Sequence, residues 1–113
     1  MIKFKPGVSL EQLQPQMLIA LEAVREEFTR WGLDTVVTSA NDGEHMEGSK
    51  HYTGAAFDFR TKHSAGLGKG IAGACKMKLG PLGFDVVFEH EGQPNEHLHV
   101  EYDPKTYFKG EVI

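Results

Sequence analysis

Hydrophobic residues recur every three to four positions between residues 15 and 31, which predicts an amphipathic helix over this stretch. The stripe expected to face the core contains Met17, Leu18, Leu21, Val24, Phe28 and Trp31. A second helical pattern covers residues 67–79 and ends at Gly80 and Pro81, two residues that commonly terminate helices. Both apolar stripes are expected to pack in the core rather than to bind a cofactor.

Four other segments have the composition or the alternation of β-strands, and the last two are joined by a short polar loop typical of a hairpin. These segments are residues 34–39, 55–60, 84–89 and 97–102. Alternation in the second segment places Phe57 and Phe59 on one face of the strand and Asp58 on the other. The order of elements predicts an α+β domain with a small, largely antiparallel sheet and two main helices.

Composition restricts the classes of protein to which the chain can belong. With 113 residues, 40% of them hydrophobic, residues 1–113 are expected to form a single domain. The formal net charge is −4 and the basic residues are scattered, which argues against nucleic-acid binding. No run approaches the roughly 20 apolar residues that cross a bilayer, so membrane insertion is not expected. Nothing in the sequence calls for an obligate protein partner.

Residue types that bind metals are concentrated in two polar clusters, SKHYTGAAFD at residues 49–58 and EHLHVE at residues 96–101. Two imidazoles and one carboxylate leave a fourth coordination position for water, which is the stoichiometry of a catalytic zinc site. On the predicted strand 97–102, His97, His99 and Glu101 share one face. His99 and Asp58 would converge if their strands are neighbours, and His97 is an alternative to His99 because both point the same way.

Glu96 is a candidate general base. It precedes His99 by three residues, so on a regular strand its side chain would point away from that histidine. It reaches the same cavity if it lies in the turn, and Pro94 and Asn95 just before it favour a turn. Hydrolysis assisted by a metal needs a carboxylate near the activated water to accept its proton.

The two clusters resemble the motifs S-x-H-x-x-G-x-A-x-D and E-x-x-H of a zinc metallopeptidase family. This family includes D-alanyl-D-alanine carboxypeptidases and dipeptidases and phage L-alanyl-D-glutamate endopeptidases, and the hedgehog signalling domain shares its fold. The motif positions are occupied by Ser49, His51, Gly54, Ala56, Asp58, Glu96 and His99. The resemblance implies one Zn²⁺ per chain held by His51, Asp58 and His99, with Glu96 as the base.

The resemblance further implies a substrate, the stem or cross-link peptides of bacterial peptidoglycan, cleaved by an enzyme of the phage lysis type. Family members that recognise a free C-terminal carboxylate generally carry an arginine shortly after the serine that corresponds to Ser39, and no arginine occurs between Ser39 and His51. This absence argues against a strict carboxypeptidase and leaves endopeptidase activity open, with Arg60, on the same predicted face as Asp58, as an alternative residue for binding a carboxylate. The remaining candidates for substrate contact or for support of the ligands are His45, Ser49, His97 and Glu101.

Two other functions are compatible with the same residues. A zinc-binding module of the same fold would lack turnover, although the presence of Glu96 argues against it. An iron(II) oxygenase also uses two histidines and one carboxylate, but its usual scaffold, a jelly roll, needs more strands than the sequence predicts. Pro6 and Gly7 interrupt any secretory signal, so synthesis in the cytoplasm is expected, with action on the cell wall after the membrane is lysed or permeabilised.

Overall fold

A computed structural model of the chain describes residues 1–41 and 54–104. These ranges contain two α-helices and five strands: β1 (Ile2–Phe4), α1 (Met17–Arg30), β2 (Thr35–Ser39), β3 (Ala56–Arg60), α2 (Gly68–Leu79), β4 (Phe84–Glu89) and β5 (His97–Tyr102). The predicted α+β class, with a mostly antiparallel sheet and two helices, is confirmed. Three of the candidate site residues, His45, Ser49 and His51, lie outside the described residues.

The five strands form one sheet in the order β1-β2-β3-β5-β4. β1 runs parallel to β2, and the other neighbouring pairs are antiparallel. The predicted hairpin of β4 and β5 is present, and β5 lies between β4 and β3. This order places the strands that carry the ends of the two sequence motifs side by side.

Alternation along the strands divides the sheet into an apolar face and a polar face. Phe57, Phe59 and Leu98 are fully buried and pack with residues of α1 and α2 in one hydrophobic core. Their neighbours in sequence, such as Asp58, point to the opposite face, as the alternation predicts. The helices therefore cover the apolar face of the sheet, and candidate site residues such as Asp58 lie on the opposite, polar face.

The predicted stripe of α1 is wrong at two positions. Leu18 is 59% exposed and Trp31 is 55% exposed, whereas Met17, Val24 and Phe28 are fully buried. The helix faces the sheet along the line through Met17, Val24 and Phe28, and Leu18 lies about 100° around the helix from Met17. Trp31 follows the last helical residue and does not continue this line.

Gly54, the glycine of the first motif, occupies a backbone position that only glycine fits. Its φ is +72°, and a Cβ built there would overlap the carbonyl oxygen of Gln12. The Gly54 carbonyl accepts a hydrogen bond of 2.9 Å from the amide of Gln14. The glycine thus lets the segment before α1 pack against the start of the β3 region.

Gly54→Ala is therefore expected to lower the free energy of unfolding, measured in urea, by at least about 1–3 kcal/mol. This is the usual strain of a left-handed backbone at a residue other than glycine, and the overlap with Gln12 adds to it. Gly73→Ala is the matched control, because Gly73 lies in α2 with open space around it. This control is expected to gain up to about 1 kcal/mol from helix propensity. Equal stability of Gly54→Ala and the wild type would contradict the close packing at Gly54.

In residues 1–41 and 54–104, neither α-helix has both the length and the apolar character needed to cross a bilayer.

Candidate functional site

Asp58 and His99 meet at the centre of the polar face. They are direct cross-strand partners in the pairing of β3 with β5, and His99 Nδ1 lies 2.9 Å from Asp58 Oδ1. Their side chains are only 14% and 15% exposed, respectively. Asp58 and His99 are 41 positions apart in sequence, and the register of β3 with β5 brings these two residues, one from each motif, into contact.

Glu101 holds the other nitrogen of the same imidazole. His99 Nε2 lies 2.8 Å from Glu101 Oε1, two residues along β5 on the same face. Desolvation by burial lowers the pKa of His99, but the hydrogen bonds to Asp58 and Glu101 outweigh it and raise the pKa to about 9. The two carboxylates thus favour a positive charge between them.

This donor set fits a divalent cation. Two ligands of a tetrahedral zinc ion with bonds of roughly 2.0–2.1 Å are about 3.3 Å apart, close to the 2.9 Å between His99 Nδ1 and Asp58 Oδ1. A cation shared by these atoms would take the place of a proton, while Nε2 keeps its contact with Glu101. Within residues 1–41 and 54–104, no three His, Cys, Asp or Glu side chains form a metal-binding group, and the predicted third ligand, His51, lies outside these ranges.

His97 borders the Asp58–His99 pair. Its Nδ1 donates to the carbonyl oxygen of Asn95 at 2.8 Å, which turns Nε2 towards Glu89 Oε1 at 3.1 Å and Asp58 Oδ1 at 3.7 Å. His99 makes the shorter contact with Asp58, and His97 lies beside it with its ring fixed by a backbone carbonyl.

Glu96 lies in the turn before β5, where its amide donates to the Gln93 carbonyl oxygen at 3.0 Å. Its Oε1 accepts a 3.0 Å hydrogen bond from the amide of Gly92, and its Oε2 accepts a 2.6 Å hydrogen bond from Thr61 Oγ1. The Gly92 amide, followed by the Thr61 hydroxyl, lowers the pKa of Glu96. Glu96 is therefore ionised at neutral pH.

A pocket of about 210 Å³ opens on the polar face beside Asp58 and Glu96. Asp58, Glu96, His97 and Arg60 line its wall. The structure thus gathers four of the candidate site residues around one cavity, with His99 and Glu101 beside Asp58. The cavity is large enough for part of a peptide.

Four charged or hydroxyl-bearing contributors to this site were not identified from the sequence: Thr61, Glu89, Lys5 and Lys62. Thr61 and Glu96 are 35 positions apart and meet because β3 and β5 are antiparallel neighbours, so that β3 ends beside the start of β5. No local pattern around Thr61 indicates this contact, so only the register of the strands reveals it.

Thr61→Val is expected to raise the pKa of Glu96, because the variant keeps the shape of the side chain and removes the hydroxyl donor. The measurement is an NMR titration of the Glu96 carboxyl carbon. Ser64→Ala is the matched control, since the Ser64 hydroxyl is buried in the same turn and donates to the Thr61 carbonyl oxygen. A Glu96 pKa that is the same in Thr61→Val and in the wild type would show that this hydrogen bond does not form in solution.

No protein-family model, curated protein or solved structure matches this chain. Function is therefore inferred from the motif spacing and from the contacts of the polar face alone.

Proposed function

We propose that the chain is a zinc-dependent peptidase that hydrolyses peptide bonds in the stem or cross-link peptides of bacterial peptidoglycan, as lysis enzymes of phages do. The observation that supports this most is the contact between Asp58 and His99, one residue from each motif, across β3 and β5. The substrate class and the hedgehog/D-alanyl-D-alanine peptidase-like fold come from the motif resemblance. We expect the enzyme to reach the cell wall after the membrane is lysed or permeabilised.

His51, Asp58 and His99 are the proposed zinc ligands. The roles of Asp58 and His99 draw on the geometry above, and the role of His51 rests on its place in the motif. When bound, the zinc ion would polarise the peptide carbonyl and lower the pKa of a water molecule in its open position. Glu101 keeps the His99 ring in place through Nε2, the support that metal-binding histidines usually receive.

Glu96 is the proposed general base. It is ionised at neutral pH, which is the state that can accept a proton from the attacking water and pass it to the leaving amine. Each carboxylate oxygen of Glu96 already accepts one hydrogen bond, but each has a second lone pair for the water. His97 lines the same pocket with its ring held by the Asn95 carbonyl and the Glu89 carboxylate, and its proposed role is to stabilise negative charge on the reacting carbonyl.

A zinc-binding module without turnover is the second candidate. The observation that favours it is the engagement of both Glu96 oxygens by Thr61 and Gly92, an arrangement that also suits a carboxylate that only fixes the turn. Such a module would bind zinc through the same three ligands and would not hydrolyse a peptide.

Incubation with purified peptidoglycan tests the proposal. We expect release of one class of stem-peptide fragment, identified by mass spectrometry, that a chelator abolishes and added zinc restores. No release by a protein that holds one zinc per chain would contradict the peptidase and favour the binding module. Activity that requires iron and a co-substrate instead would indicate oxygenase chemistry at the same residues.

A further inference from the structure

Three cationic side chains surround the pocket that contains Asp58 and Glu96. Lys5 follows β1, Arg60 is the last residue of β3, and Lys62 lies just beyond it. The positive groups come from two distant segments of the chain, residue 5 and residues 60–62, and line one cavity. A protein with a net charge of −4 thus has a pocket in which cations outnumber carboxylates.

Within the part of the chain that the structure describes, the two carboxylates of this pocket have partners, whereas two of its three cations have none. Asp58 contacts His99, and Glu96 accepts hydrogen bonds from Thr61 and from Gly92. In residues 1–41 and 54–104, the side chains of Lys5 and Arg60, which both line the pocket, form no hydrogen bond or ion pair with a described residue. The pocket therefore has positive charge to offer to a ligand.

Lys62 differs from the other two cations, because its ammonium group donates to the carbonyl oxygen of Pro94. This contact ties Lys62 to the turn that carries Glu96. It leaves Arg60 and Lys5 as the groups available to an anion. A guanidinium binds a carboxylate with two parallel hydrogen bonds, which a lysine cannot do.

We propose that Arg60, assisted by Lys5, binds a carboxylate of the substrate beside the reacting bond. The inference rests on the proposed peptidase function and names the anionic group that this peptidase recognises. It also offers an alternative to the arginine that is missing between Ser39 and His51.

Strand geometry sets the distance between this subsite and the reacting centre. Asp58 and Arg60 are two residues apart on the same face of β3, which corresponds to about 7 Å along the strand. Consecutive Cα atoms of a peptide are about 3.8 Å apart. A carboxylate on Arg60 therefore belongs within one or two residues of the scissile bond, either as the C-terminus of the peptide or as an acidic side chain.

Three acetylated dipeptides separate these two sources: alanyl-alanine with a free C-terminus, its C-terminal amide, and alanyl-glutamate amide, which has only a side-chain carboxylate. Dissociation constants are measured by NMR titration of the full-length, zinc-loaded protein, so the readout does not need turnover. We expect at least one carboxylate peptide to bind about tenfold more tightly than the uncharged amide. The preferred peptide identifies the source of the carboxylate.

Arg60→Ala is expected to abolish this preference, Lys5→Ala to reduce it, and Arg60→Lys to restore part of it. Lys76→Ala, an equal change in charge on an exposed position of α2, is the matched control and is expected to keep the preference. Equal affinity of the wild type for all three peptides, no measurable binding, or an unchanged preference in Arg60→Ala would each overturn the subsite. If the subsite is overturned but the protein still cleaves peptidoglycan, the proposed peptidase function stands. If carboxylate binding is preserved but no peptidoglycan is cleaved, only the proposed peptidase function is refuted.

Discussion

Replacing Glu96 with glutamine is expected to lower kcat/KM for peptidoglycan cleavage by about 10²- to 10⁴-fold, the usual contribution of a general base. The amide keeps the size of the side chain, and its oxygen can still accept one of the hydrogen bonds from Thr61 Oγ1 and the Gly92 amide. It cannot accept the proton of water. Zinc content, measured by atomic absorption, is expected to stay at one per chain, because Glu96 is not among the proposed ligands.

Glu91→Gln is the matched control for this variant. Glu91 is exposed in the loop between β4 and β5 and does not line the pocket of Asp58 and His97. Its replacement by glutamine removes the same charge as Glu96→Gln. Its rate is expected to stay close to that of the wild type. A Glu96→Gln variant that retains zinc and turns over at a near-normal rate would remove Glu96 from the reaction and assign it to the turn alone.

Replacing His99 with alanine is expected to weaken zinc binding by more than the roughly 10- to 100-fold that loss of an outer supporting residue costs. His99 contacts Asp58 directly at 2.9 Å and is a proposed ligand, whereas His97 approaches Asp58 only to 3.7 Å. His97→Ala is therefore the matched control, on the same strand and the same face, and is expected to retain zinc. Affinities are measured by competition with a chromophoric chelator.

The same pair of variants decides between the two histidines that the sequence left open. Loss of zinc from His97→Ala together with retention in His99→Ala would move the ligand assignment to His97. Retention of zinc at full affinity in both variants would refute a site on this face of the sheet.

Much of the fold could be predicted because its strands have strong local patterns. Alternation in β3 and β5 predicted which side chains face the core, and the hairpin predicted that β4 and β5 pair. β1 was missed, because it has only three residues and is defined by its parallel pairing with β2, not by a pattern of its own. Leu18 and Trp31 were misplaced because periodicity does not fix which line of α1 meets the sheet.

The candidate site was predictable in its residue types and less so in its contacts. Convergence of Asp58 and His99 depended on β3 and β5 being neighbours, which the alternation alone does not establish. The link from Thr61 to Glu96 and the position of Lys5 at the pocket depend on how distant segments meet. Such contacts are set by tertiary structure, so a local pattern contains no signal for them.

A crystal structure of the zinc-loaded protein, with anomalous diffraction recorded at the zinc edge, would show directly whether Asp58 and His99 bind the metal. We expect one zinc ion per chain with a His99 nitrogen at about 2.0–2.1 Å and an Asp58 oxygen at about 2.0–2.2 Å. We also expect His51 to complete the protein ligands and one position to stay open for water. A zinc ion bound elsewhere, or no zinc at Asp58 and His99, would contradict the proposed site.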